Sequence, residues 1–307
     1  MQNADGGWGY FPGKQSWLEP TAYAALALHG EPAVDRAWKL IESWQLKDGG
    51  WRPAADVQIA NWTTALCVTI ATLRGEFGGP FQKGVEWLLG SWGVESRLVN
   101  RMAVKMGRLE ADRDLRLKGW PWKPNTSSWV EPTAHTIVAL KQASSNGASK
   151  LSSKYRDEIR ERVRMGEAQL MDVRCRDGGW NYGSRAVLGG DLPSYPETTA
   201  LALLGLQGHA DLSRSLERAS QMARDQRSQM IIDQQDQQGA KKVNAPSPLA
   251  RAWLRLALRL HGVNVDLPLG TPLRDVVVTA VDAIGAGANY QLFGTREVSR
   301  EKPGAIS

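Results

Sequence analysis

An all-α fold of repeated helical hairpins, an (α/α) toroid or incomplete toroid with inner and outer helix layers, is the class this sequence predicts. Three observations predict it. The tetrapeptide Asp-Gly-Gly-Trp recurs at Asp5 to Trp8, Asp48 to Trp51 and Asp177 to Trp180. Each copy is followed by an Ala/Leu-rich segment opening on Thr-Ala, as at Thr21-Ala22, Thr64-Ala65 and Thr199-Ala200. Amphipathic, charge-rich segments alternate with these units, and self-similarity of this kind marks stacked hairpins that bury an apolar face only against their neighbours.

The elements follow in order from the periodicity. After each Thr-Ala, apolar residues recur at helical spacing, as in Ala22, Ala25, Leu26 and Leu28, with almost no charge on any side, so these helices belong to the core. Inner helices are expected at 20–29, 61–73, 132–142, 198–207 and 248–261, with Gly30 and Gly208 ending two of them. Outer helices are expected at 33–46, 81–91, 155–173, 211–229 and 272–284. Asn61 and Glu131 are 70 residues apart against 42 between Glu19 and Asn61, which leaves 94–118 as an insertion or a degraded extra hairpin. The Gln-rich stretch from Asp233 to Lys242, followed by Pro246 and Pro248, reads as a loop before the last inner helix. The repeats define one domain over 1–285 and leave 286–307 as a C-terminal tail. Five inner helices and no outer helix before Asp5 imply either a chain missing its first outer helix or an open arc completed by a second copy or another partner.

Composition narrows the function classes. Hydrophobic residues make up 42% and charged residues 23%, ordinary for a globular chain, but 13 Trp stand against 4 Phe, so indole serves a repeated purpose. No run approaches a spanning helix and no signal-peptide pattern opens the chain, so a cytoplasmic protein is expected, with peripheral contact to the inner face of the membrane. The net charge of +6 is spread over outer helices rather than grouped in a basic arm, which argues against nucleic acid. Cys67 and Cys175 form no disulfide or metal-binding spacing, and neither metal nor cofactor is expected.

In the repeated loop the glycines supply positive φ, Asp accepts backbone N–H groups and Trp packs between hairpins. Gln2 and Gln45 stand three residues before their Asp, where an amide can bridge a helix end to the next hairpin. At Arg36-Ala37, Leu40-Ile41, Gln45, Gly49 and Trp51 the chain resembles the QW motif of squalene-hopene cyclases and the terpenoid cyclase superfamily, which shares the prenyltransferase and squalene oxidase repeat. Lys83-Gly84 with Trp87-Leu88 keeps the first half, and Arg174 takes the Gln position of the third copy. The resemblance implies a toroid around a cavity for a hydrophobic isoprenoid or triterpene-like ligand, and an isomerase-type cyclase (intramolecular transferase or lyase). The Asp-x-Asp-Asp-Thr-Ala run that carries the acid in such cyclases is absent.

Superposing the Thr-Ala steps places Glu19, Glu131 and Glu197 where that acid would stand, and a Trp-lined apolar pocket would raise their pKa. The scaffold reading of the same residues is an N-cap position before Pro20, Pro132 and at the start of the 198–207 helix, facing the helix dipole. His135 is the remaining catalytic candidate, with a core role as its plainer reading. Trp17, Tyr23, Trp62, Trp122, Trp129, Tyr195 and Arg251 are the candidate substrate-binding residues, placed at the mouths of inner helices, with Trp8, Trp51 and Trp180 assigned to packing. Two functions follow: metal-independent cyclisation of an isoprenoid by protonation, or a noncatalytic isoprenoid-binding or protein-interaction scaffold. A carbohydrate-processing ring of helices ranks below both.

Overall fold

The computed structural model describes residues 1–108, 111–147, 151–235, 247–268 and 274–295. Eleven α-helices appear among them: α1 (Leu18–Ala27), α2 (Ala33–Ser43), α3 (Thr64–Arg74), α4 (Gly79–Leu89), α5 (Leu98–Lys105), α6 (Val130–Asn146), α7 (Ser153–Asp172), α8 (Pro196–Gly205), α9 (Ser213–Gln235), α10 (Pro248–Leu260) and α11 (Val276–Ala286). A two-residue hairpin, β1 (Ala186–Val187) with β2 (Gly190–Asp191), interrupts the loop before α8.

Six of these helices pack in a closed cycle, α1 against α3, α3 against α6, α6 against α8, α8 against α10, α10 against α11, and α11 back against α1. They are the inner layer, and α2, α4, α7 and α9 lie outside it. Every residue of α3 from Thr64 to Thr72 is buried, as the charge-free pattern of that segment requires.

The last helix corrects the sequence reading twice. Residues 272–284 were expected to be an outer helix and the ring an arc of five, but α11 is the sixth inner helix and closes the circle. Its one internal charge, Asp282, pairs with Arg255 of α10 inside the structure and so does not mark a solvent face. Gly285 lets α10 and α11 approach closely, since a Cβ there would meet Leu256 N at 3.3 Å.

The repeated loops work as one clamp. Asp5, Asp48 and Asp177 accept from the N–H of Gly7, Gly50 and Gly179 at 2.9, 3.1 and 3.1 Å. The Trp N–H donates to the Thr of the following Thr-Ala step, Trp8 to Thr21 at 2.9 Å and Trp51 to Thr64 at 2.9 Å. The indole N–H of Trp51 and Trp180 then caps the preceding outer helix at Ile41 and Leu170. Gly6, Gly49 and Gly178 have φ of 93, 94 and 96°, and at Gly49 a Cβ would stand 2.5 Å from the Lys83 carbonyl oxygen. Gln45 donates to Gly49 and Pro80 carbonyls at 2.9 and 2.7 Å, bridging two hairpins, while Arg174 pairs with Asp211 instead. A fourth clamp uses Gly119-Trp120, with Trp120 bound to Thr133 at 2.9 Å and to Leu88 at 2.7 Å. Without an Asp-Gly-Gly signature it was not legible as a repeat.

The insertion at 94–118 holds a short 3-10 turn (Val94–Ser96) and α5. The start of the expected tail is structural: Ala288–Phe293 is a 3-10 helix whose Phe293 is 1% exposed. It plugs the ring at the C-terminal ends of the inner helices. Asn289 donates to Ala27, Gln142 to Leu292 and Gln207 to Phe293, at 2.9, 2.7 and 2.9 Å. The Gln-rich loop reading beyond Gln235, through 246, and the tail from 296 onward lie outside the described residues.

Candidate functional site

With the C-terminal ends plugged, the opposite end of the ring is its mouth, where the inner helices begin. Their first turns deliver Glu19 (α1), Glu131 (α6) and Glu197 (α8), while Trp62 precedes α3, Ser247 caps α10 and Asp275 caps α11. The carboxylates sit inside the first turn rather than at the N-cap as expected. Trp17, Trp129 and Tyr195 occupy the N-cap positions and give no side-chain cap. The helix dipole still favours negative charge there, so part of the scaffold reading survives.

The sequence-predicted acids converge. Burial pushes the Glu131 carboxyl up to about 8, reinforced by the charges of Glu19 and Glu197. Glu131 is therefore protonated at neutral pH. Burial also raises Glu19, opposed by a 2.5 Å hydrogen bond from the Tyr10 hydroxyl and reinforced by Asp275. Glu197 accepts from the Ser247 hydroxyl at 2.6 Å. As whole residues all three are half-buried at this end of the ring.

Directly beneath them the ring is filled. Tyr23 and His135, each four residues after its Glu and so one helical turn deeper, meet across the axis with Tyr23 Oη 3.0 Å from His135 Nε2. Trp253, Trp62 and Phe293 pack on His135 with centroids 5.6, 5.3 and 6.2 Å away, and Tyr23 lies 5.7 Å from Trp253. Burial holds His135 down at about 3, so it is a neutral core residue at physiological pH and is no imidazolium acid. Tyr23 and Trp62 are likewise buried, so aromatic side chains occupy the axis where a ligand cavity was expected.

The other aromatic candidates ring that mouth. Trp122 stands edge-on to Trp62 at 5.2 Å, Trp17 packs on Tyr10 at 6.0 Å, and a shallow cleft of about 550 Å³ opens beside Tyr10, Phe11 and Trp17. Trp129 contacts Tyr182 at 6.2 Å, and Tyr182 contacts Tyr195 at 5.3 Å, all three partly exposed. Arg251 is buried on α10, where the charges acting on it are Asp282 and Arg255 rather than the mouth carboxylates. Tyr10, Tyr182, Ser247 and Asp275 were missed, since none belongs to the Glu-containing register. Among the described residues no cluster of three His, Cys, Asp or Glu side chains is arranged for a metal ion, and Cys67 and Cys175 are buried free thiols.

No protein-family profile and no curated protein matches the chain. It is similar in structure to a protein from Actinoplanes at 19% identity and a TM-score of 0.48, covering 91% of this chain and 74% of that one. The type II terpene cyclase MstE from Scytonema matches at 18% identity and a TM-score of 0.49, over 92% and 74% of the two chains. A glycosidase in complex with glucose matches at 11% identity and a TM-score of 0.45, over 95% and 93%.

Proposed function

We propose that the ring mouth is the acid–base site of a terpenoid-cyclase-like enzyme acting on an isoprenoid, with Glu131 as the proton donor. One observation carries this reading: Glu19 and Glu197 converge on a carboxyl that burial keeps protonated, among aromatic side chains. A carboxyl near 8 is a weak acid, suited to an oxygen whose C–O bond breaks as the proton arrives. An epoxide or allylic oxygen fits this better than an unactivated alkene. The carbon left behind is cationic, and carboxylates with the π faces of Trp17, Trp122 and Trp129 stabilise positive charge. Loss of a C–H proton to a mouth carboxylate, or addition of water, completes the change.

The test is incubation of the protein with squalene, its epoxide and shorter prenyl alcohols and diphosphates, followed by extraction and mass spectrometry. Conversion is expected for an oxygenated isoprenoid, with Glu131→Gln lowering kcat by ~10²–10⁴. Lipid recovered bound but unchanged would make the ring a binding module instead.

A second reading rests on the shallowness of the mouth and the partly exposed Trp129, Tyr182 and Tyr195 at its rim. Carboxyl groups facing one another beside aromatic platforms also suit glycoside cleavage. Turnover of aryl glycosides without turnover of isoprenoids would select it.

A further inference from the structure

We propose that α5, together with the mouth loops beside it, docks on an anionic lipid bilayer. Four large apolar side chains of this segment point to solvent: Leu98, Val99, Met102 and Met106 are 67, 67, 47 and 59% exposed. None of the eight residues of α5 is buried. At positions i, i+1, i+4 and i+8 these side chains share one stripe about 100° wide. The other side of the helix faces the protein, where Asn100 donates to the Val94 carbonyl at 2.7 Å.

Charge decides what covers the stripe. Arg101 and Lys105 border it, Arg97 and Arg108 stand at its ends, and all four are exposed. Among the described residues none of the four is in an ion pair. Among the described neighbouring acids, Asp112 pairs with Arg113, Asp114 pairs with Arg116 and also feels the charge of Arg101, and Glu95 accepts from Ser128. An apolar stripe edged by exposed cations matches anionic headgroups above acyl chains, the arrangement of an interfacial helix. A groove of about 490 Å³ between α5 and residues 111–116 adds a seat walled by Leu98, Met102 and Leu115.

The position gives the contact a purpose. Val94 donates to Thr126 at 3.1 Å and Arg97 to Asn125 at 2.5 Å, which ties the root of α5 to the loop leading into Trp129 at the mouth. The mouth loops expose further apolar side chains, Phe11, Ile59, Val187 and Leu188. A bilayer bound here lies beside the opening. The contact does not depend on whether the mouth performs chemistry.

Cosedimentation with vesicles of phosphatidylcholine alone, or mixed with phosphatidylglycerol, tests the proposal. The protein is expected to pellet with the mixed vesicles, less so as salt rises. Leu98→Asp/Met102→Asp and, separately, Arg101→Glu/Lys105→Glu are each expected to weaken binding about tenfold or more, with unchanged thermal midpoints because the altered side chains are exposed. Protein left in the supernatant with both vesicle types, or both variants pelleting like the parent chain, overturns it. Conversion of a dimer to a monomer by Leu98→Asp/Met102→Asp without vesicle binding also overturns it, assigning the stripe to a second copy.

Discussion

Glu131 holds a proton because the first turn of α6 places it among other acids in an apolar setting, and that has a consequence for stability. A carboxyl whose pKa is raised on folding binds its proton more tightly in the folded state. Its contribution is present at low pH and is lost as pH climbs from its ordinary 4.5 through about 8. Folding stability should therefore fall across that interval by at most about 5 kcal/mol, and Glu131→Gln should flatten the dependence, as read from urea midpoints at stepped pH. The position of this residue was legible from the Glu-Pro-Thr-Ala register it shares with Glu19. Its protonation was not, because the groups that set it come from two other helices and sequence spacing says nothing of their approach. Tyr10 was hidden for the same reason, since its role exists only once Glu19 is beside it.

At the scale of elements, the clamps of Trp51 and Trp120 each press the indole against a glycine of the next outer helix. A Cβ on Gly84 would lie 2.6 Å from Trp51, and one on Gly166 would lie 2.6 Å from Trp120. Ala37 and Ala219 are fully buried in α2 and α9. Gly84→Val should cost about 1–3 kcal/mol through overpacking, measured by thermal or denaturant unfolding. The inner helices and four of the outer ones were readable because burial on all sides or on one side leaves a direct mark on composition. The fifth supposed outer helix failed that test. Asp282 looked like surface in the sequence, and only its ion pair with Arg255 shows it to be internal. The 3-10 plug carried no periodic signal at all, its place being fixed by glutamine side chains from α6 and the end of α8.

For the whole molecule, closure depends on both α11 and that plug, and no described helix is long and apolar enough to cross a membrane. Phe293 seals the axis against His135 and Trp253. Phe293→Ala should lower stability by about 3–5 kcal/mol, seen as a fall in the thermal midpoint. The ring was predictable because its repeats are local, whereas its closure is a contact between the first and last inner helices. Among the described residues the aromatic stack fills the axis below the mouth and the plug packs across its far end, which leaves the mouth as the open side. On the proposed function a ligand enters and leaves by the same end, so a departing molecule stands in the path of the next, and exchange at the rim is expected to limit how fast the ring can be used again.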